Sequence, residues 1–434
     1  MEPFQLPKNF LMGSATSATQ IEGGDQNNTW FRWCQNQGHI HDGSSCIRGD
    51  DHWNRYPEDI QLMKELNHNI YRMGIEWSRI EPEKGRFDDK VLRHYKDELS
   101  LLLQNKIQPL VTLHHFSNPL WFEDMGGWEN PESVQLFIRY THYVVAALGD
   151  LVNEWITINE PNVYLIYGYE RGAWPPGKTN LFAMFRALSH LTLAHIQSYQ
   201  EIHRIRIEHQ FPGKTRVGIA HHLRIFDPED NQLRNKIPAR IIRYLSQDLF
   251  LESMGFGKFN FPLGMGGYPL GRGKYYDFLG INYYSRDMVR LAWEPANLFG
   301  HLNVKKNAPV NDLGWEIYPE GLYRLCRRYY QKYQAPIYIT ENGICDTKDT
   351  KRAQFIYDHL QQIARLNQEG IPVERYYHWS LMDNFEWAEG ESGRFGLIAN
   401  DFGTQQRTVR RSGKFYGEIC ARKAITQEMI EKYL

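Results

Sequence analysis

Two glutamates carry the chemistry that can be read from this chain. Glu160 ends the run Glu154-Trp155-Ile156-Thr157-Ile158-Asn159-Glu160-Pro161, which is apolar, β-branched and stopped by a proline. Glu341 follows Ala335-Pro336-Ile337-Tyr338-Ile339-Thr340 and leads into Asn342-Gly343, a turn dipeptide. A carboxylate at the carboxyl end of an apolar strand lies where core packing stops and loops begin. In a barrel of parallel strands that rim is where catalysis sits. A single such Glu also has a plain structural reading, as a cap for the next helix or a partner for an arginine. Two of them, on strands far apart in sequence, are what hydrolysis of a glycosidic bond requires. One must be protonated to supply the leaving oxygen, and the other ionised to attack or to activate water.

The elements that must position these groups alternate along the chain. Strands are read at 10–16, 70–77, 108–115, 154–160, 216–222, 276–284, 335–340 and 376–381. Helices are read at 57–66, 88–105, 131–148, 182–208, 239–252, 319–333 and 350–368, with a last one starting near Ser412. The helix at 88–105 sets Val91, Leu92, Tyr95, Leu99 and Leu102 on one face. Pro57 and Pro319 suit first helical turns, and Gly370 suits a helix stop. Alternating strands and helices predict the α/β class and a (β/α)8 barrel, one catalytic domain over residues 1–434. Long loops are read at 255–275 and roughly 293–318, over the barrel mouth. Arg72, at the end of the second strand, and Tyr284, at the end of the sixth, are placed to reach Glu341 and favour its ionised form.

Composition excludes several classes. The 434 residues carry a formal net charge of −1, which argues against nucleic acid or an anionic membrane surface as partner. No run of about 18 apolar residues suggests a membrane span, and the first residues lack a signal-peptide pattern. The five cysteines form no metal-ligand spacing and read as reduced thiols of a cytoplasmic protein. His114-His115 and His221-His222 read as strand ends rather than ligands, so neither metal nor cofactor is expected. Aromatic residues reach 14%, with 12 Trp and 26 Tyr, which suits a large core or a pocket whose rings stack on sugars. Arg410-Arg411-Ser412-Gly413-Lys414 reads as a solvated helix start.

Over nearly its whole length the chain resembles glycoside hydrolase family 1, the retaining β-glucosidases and β-galactosidases. The motifs that carry the resemblance are Thr157-Ile158-Asn159-Glu160-Pro161 and Ile339-Thr340-Glu341-Asn342-Gly343. The resemblance implies Glu160 as acid/base and Glu341 as nucleophile, supported by Arg72, Asn282 and Tyr284. It implies sugar-binding roles for Gln20, His115, Asn159, Trp379, Glu386, Trp387 and Phe395, and places Trp315 on the leaving-group side. It departs from the family at Phe116, where Trp is usual, and at Glu391, where Tyr is common; residues 72–80 look like the archaeal-type members. A carboxylate at Glu386 favours a non-phosphorylated sugar, and the presence of Glu160 favours O-glycosides over thioglycosides. The implied activity is exo-hydrolysis of β-D-glucosides, galactosides or fucosides, with small glycosides or short oligosaccharides as partners. Transglycosylation is a variant of the same chemistry, and a non-catalytic or weakly active sugar-binding protein is the competing reading.

Overall fold

The computed structural model describes residues 1–293 and 300–434, and eight short strands close into a barrel within it. They are β1 Leu11–Ala15, β2 Ile70–Gly74, β3 Gln108–His114, β4 Glu154–Asn159, β5 Arg216–His222, β6 Leu279–Asn282, β7 Ile337–Asn342 and β8 Val373–Trp379. All pair in parallel in chain order, and β8 returns to β1. β2, β4 and β7 are buried along their full lengths. That two-sided burial is why they read as nearly unbroken apolar runs, and why a charged residue inside one needs a partner.

The larger helices form the outer layer: α1 His52–Glu65, α2 Asp89–Gln104, α3 Ser133–Leu148, α4 Leu181–Glu208, α5 Leu233–Arg243, α6 Leu249–Phe256, α7 Pro319–Tyr333, α8 Arg352–Gln368 and α9 Arg411–Arg422. α2 shows how the sequence dictates this layer. The Asp88 side chain caps it by accepting from the Lys90 N–H at 2.8 Å, and Leu92, Tyr95, Leu99 and Leu102 are buried on one face. Each such side chain contributes about 1.5–3 kcal/mol on burial.

Inside the barrel, Ile70, Leu110, Ile156, Ala220 and Tyr377 fill the lumen, and Phe278 stacks on Tyr338 with ring centroids 4.2 Å apart. The amino end is plugged by a polar floor. Arg375 donates to Glu154 at 2.6 Å, and the Tyr338 hydroxyl donates to the same carboxylate at 3.2 Å. With this end closed, chemistry is left to the carboxyl end of the strands.

Several sequence expectations shift. The first large helix begins at His52, with Pro57 inside it, because the buried His52 ring is pinned between Asp59 at 2.8 Å and Glu98 at 3.0 Å. The helix expected at 239–252 extends further both ways, running from α5 through a wide turn at Tyr244–Asp248 into α6. The expected loop at 293–318 contains a strand, Gly300–Asn303, paired antiparallel with Arg286–Leu291, which in turn pairs with Ile225–Pro228. Residues 294–299 of that loop lie outside the described residues. Arg410 is not a solvated helix start: it is paired with buried Asp383 in the segment after β8. All five cysteines are free thiols, yet Cys34 and Cys46 share a hydrogen bond that lowers Cys34 to about 7.

The close approach of β7 and β8 under the site depends on Gly343, where a Cβ would fall 1.8 Å from the Trp379 carbonyl oxygen. Gly343→Ala is therefore expected to lower the thermal unfolding midpoint markedly. Gly370→Ala, at φ +79° with nothing within 4 Å of the added atom, costs only about 1–2 kcal/mol of left-handed strain. A calorimetric scan of both variants checks the difference; equal midpoints would contradict the close contact.

Candidate active site

Arg72 projects from β2 into the carboxyl end of the barrel and is fully buried. Its guanidinium donates to Glu341 and to the Thr340 carbonyl on β7, the latter at 3.2 Å. It also donates to the Asn159 side chain on β4 at 2.5 Å and to the Thr112 hydroxyl on β3 at 3.2 Å. The second oxygen of Glu341 accepts from the Tyr284 hydroxyl at 2.6 Å. Asn282 on β6 donates to Glu160 at 2.7 Å and to Asn159 at 3.2 Å, while its own oxygen accepts from the Thr340 hydroxyl at 2.6 Å. Glu160, Glu341, Arg72, Asn159, Asn282 and Tyr284 thus form one connected hydrogen-bonded group.

Local backbone irregularity aims the two glutamates. Strand register slips between Ile156 and Asn159 on β4 and between Ile339 and Glu341 on β7, at the two strand ends that carry them. Such bulges turn a side chain out of its regular alternation. Glu160 itself is left-handed, with φ 40° and ψ 58°, a conformation that a non-glycine residue holds at a cost of about 1–3 kcal/mol. It precedes the short helix Pro161–Leu165 but makes no side-chain cap bond, which removes the capping reading. Glu341 does pair with an arginine, but with a second, phenolic donor on the other oxygen.

The two carboxyls differ in electrostatics. Burial pushes Glu160 well above the ordinary glutamate value, and the charge of Glu341 pushes it further; Asn282 and Arg72 oppose. Glu341 is also raised by burial, while Arg72 and Tyr284 pull it down. The sequence reading of the cation and phenol as supports for the ionised form holds in direction, although desolvation is the larger influence. Of the pair, Glu160 is the stronger proton holder. His115 is held neutral, far below its usual value, by burial and by nearby Arg72.

Most of the remaining sequence candidates gather on the side of the cleft formed by β1, β3 and β8. Asn159 and His115 are joined at 2.9 Å. The His115 ring lies 5.9 Å from Trp379 and 5.7 Å from Trp387, nearly parallel to both. Gln20 donates to Glu386 at 3.5 Å, and Trp379 donates to the same oxygen at 3.4 Å. Gln20 is fixed by Ser17, Asn384 and the Phe385 carbonyl, partners the sequence reading did not name. Trp30 and Trp174, also unnamed there, back Trp387, and Phe116 is buried between Trp174 and Trp387. Only their tryptophan identity hinted at them. Burial pushes Glu386 up to about 8, with Glu341 contributing, so its carboxyl is a much weaker acid than the carboxylate expected from sequence. Phe395 and Trp315 stand apart, against Tyr284, with ring centroids at 6.3 and 5.9 Å. Among the described residues, no group of three or more His, Cys, Asp or Glu could hold a metal ion.

Because the charge of Glu341 raises Glu160, the Glu341→Gln variant is expected to move the Glu160 pKa downward. Titration of the carboxyl resonance of labelled glutamate would read this shift. No shift would mean that the two groups do not sense each other.

Comparison with known proteins shows the family and the fold. The model of glycosyl hydrolase family 1 matches residues 3–265 and 272–425. Beta-glucosidase A of Acetivibrio thermocellus is 33% identical over 96% of this chain and 99% of its own. A beta-glycosidase from Pyrococcus horikoshii superposes with a TM-score of 0.91 at 36% identity, covering 99% of this chain and 98% of that one. A Thermotoga maritima family 1 glycoside hydrolase, complexed with a cyclophellitol analogue transition state mimic, superposes with a TM-score of 0.91 at 31% identity, covering 98% of this chain and all of that one. On the strength of the family match over nearly its full length, the chain belongs to glycosyl hydrolase family 1.

Proposed function

We propose that this chain is a retaining β-glycosidase that removes non-phosphorylated β-D-glucosyl groups, with galactosides and fucosides as further substrates, from the non-reducing end. The observation that carries the reading is the unequal pair. Glu160 is buried and raised in pKa, and Glu341 is held by Arg72 and Tyr284. Glu160 donates its proton to the glycosidic oxygen while Glu341 bonds to the anomeric carbon and the C1–O bond breaks. Water then attacks that carbon, gives its proton to Glu160 and releases Glu341, so configuration is retained. Asn159, poised by Arg72 and His115, is positioned for the 2-hydroxyl. Gln20, Glu386 and Trp379 are grouped to hold the far hydroxyls, with Trp387 behind them. The name of the Acetivibrio relative, a beta-glucosidase, supports glucose as the sugar.

None of Gln20, Glu386 and Trp379 supplies the cation that a phosphate dianion at the far end of the sugar would need. A binding-only relative usually loses at least one of the two carboxyls, and both Glu160 and Glu341 are present here, which disfavours that alternative. We take residues 1–434 as one catalytic unit. A cytoplasmic setting suits the five free thiols; among the described residues, no helix is long and apolar enough to cross a membrane.

Hydrolysis of an aryl β-glucoside, with Glu341→Ala and Glu160→Ala alongside, tests the reading. Both variants are expected to lose several orders of magnitude in kcat, and azide should rescue Glu341→Ala with inverted product. Wild-type kcat/KM is expected to fall at low pH as Glu341 gains a proton and at high pH as Glu160 loses one. Full activity in either variant would overturn the assignment.

A further inference from the structure

The proton of the His115 ring has a fixed place, and Arg72 decides it from a distance. A guanidinium only donates. Arg72 donates to Asn159 Oδ1 at 2.5 Å, and Asn282 donates to the same oxygen at 3.2 Å. The Asn159 amide is thereby set with its NH2 group toward His115, where Nδ2 stands 2.9 Å from Nε2. An amide nitrogen only donates, so Nε2 accepts. Burial and Arg72 hold the ring neutral, and a neutral ring carries one N–H. That proton is left to Nδ1.

Nδ1 is buried, and among the described residues it has no hydrogen-bond partner. The same holds for the Ser117 hydroxyl, two residues further on. Both residues line one small cavity of about 10 Å³, together with Glu76 and Thr19. Asn159, toward which Nε2 is turned, is not part of its wall, which puts the cavity on the Nδ1 side of the ring. One water molecule needs roughly 10–15 Å³ and two to four polar neighbours. Glu76, two residues past the end of β2, is 3% exposed. Its carboxyl accepts from the Thr19 hydroxyl at 2.6 Å on one oxygen and from the Ser78 hydroxyl at 3.0 Å on the other. Each oxygen keeps a second lone pair. Two unmet buried groups on one cavity beside such an acceptor point to a shared partner.

We propose that Glu76 is a positioning residue for the sugar: through one buried water, which also meets Ser117, it accepts the hydrogen bond of His115 Nδ1 and so holds the ring against Asn159. The inference rests on the glycosidase reading above and adds a residue behind the sugar-binding group. The water accepts from Nδ1 and donates to the Glu76 carboxyl and to Ser117 Oγ. Every bond then runs one way, from Arg72 through Asn159 and His115 to Glu76. Asn159 Oδ1 is taken up by Arg72 and Asn282, so only the second amide proton of Asn159 is left for the sugar. The 2-hydroxyl therefore accepts from Asn159.

Two measurements on the full chain test this. In ¹⁵N spectra of protein labelled in its histidine rings, with His115→Gln assigning the signal, the protonated nitrogen of His115 is expected to be Nδ1. A proton on Nε2 would overturn the inference, and this readout needs no activity. The second measurement compares an aryl β-D-glucoside with its 2-deoxy counterpart. In Glu76→Met, which keeps the side-chain size and removes the acceptor, the glucoside-to-2-deoxyglucoside ratio of kcat/KM should fall about fivefold, the effect of one ordinary hydrogen bond. Glu76→Gln, which keeps an acceptor oxygen, should stay close to the wild-type ratio. Ser117→Ala should lower the ratio as well, and carries the test if Glu76→Met does not fold. A merely structural role would slow both substrates alike; an unchanged ratio in both Glu76→Met and Ser117→Ala would overturn the inference and leave the glycosidase reading intact. Failure of the wild type to turn over any glucoside would overturn both.

Discussion

The site depends on one buried cation. Arg72 lies in the barrel without solvent contact, and its guanidinium reaches Thr112 on β3, Asn159 on β4 and both Thr340 and Glu341 on β7. A guanidinium taken out of water must recover that hydration from fixed partners, and four residues on three other strands provide them. Removing one partner of such a pair costs about 3–5 kcal/mol because the other is left charged and dry. The barrel's upper register is thus tied to the same interaction that orients Glu341. The requirement is mutual, since Glu341 is itself buried and its second oxygen is satisfied by Tyr284.

Around this centre, two identical side chains acquire different acidities. Glu341 has the cation and the phenol; Glu160 has an amide, from Asn282, and the field of Glu341. Burial raises both, so it is the partners that separate them. The strain lies at the same places. The left-handed Glu160 and the register slips on β4 and β7 deflect both side chains from the regular barrel. A barrel with eight uninterrupted strands would project these residues according to their alternation and not according to chemistry.

The two sides of the cleft are made of different material. Toward β1, β3 and β8 the walls present amides, an imidazole, an indole N–H and a carboxyl whose acidity burial weakens, hydrogen-bonded among themselves. Toward α4, α5 and α6 the walls are largely aliphatic and aromatic, with Glu170, Arg171 and His222 among them, Arg224 paired with Asp287 and Asn162 donating to the Ser246 carbonyl. The long segments at 255–275 and 293–318 supply Phe261, Leu302 and Trp315 to the apolar side.

By itself, the sequence determined the barrel and the two glutamates. Strand and helix periodicity are local properties: β-branched runs such as 154–160 and the apolar stripe of α2 declare themselves within a few residues. The rank of each strand then placed Arg72, Glu160, Tyr284 and Glu341 at one end. Local rules failed where a distant partner intervened. Pro57 did not open its helix because His52 is anchored to Glu98, and Gly300–Asn303 became a strand through pairing with Arg286–Leu291. Arg410 left solvent for Asp383. Only the tertiary structure decided that burial raises both carboxyls, that it lifts Glu386 to about 8, and that a cavity adjoins Tyr284. Those properties depend on burial and on distances through space, and neither is encoded in the separation of residues along the chain.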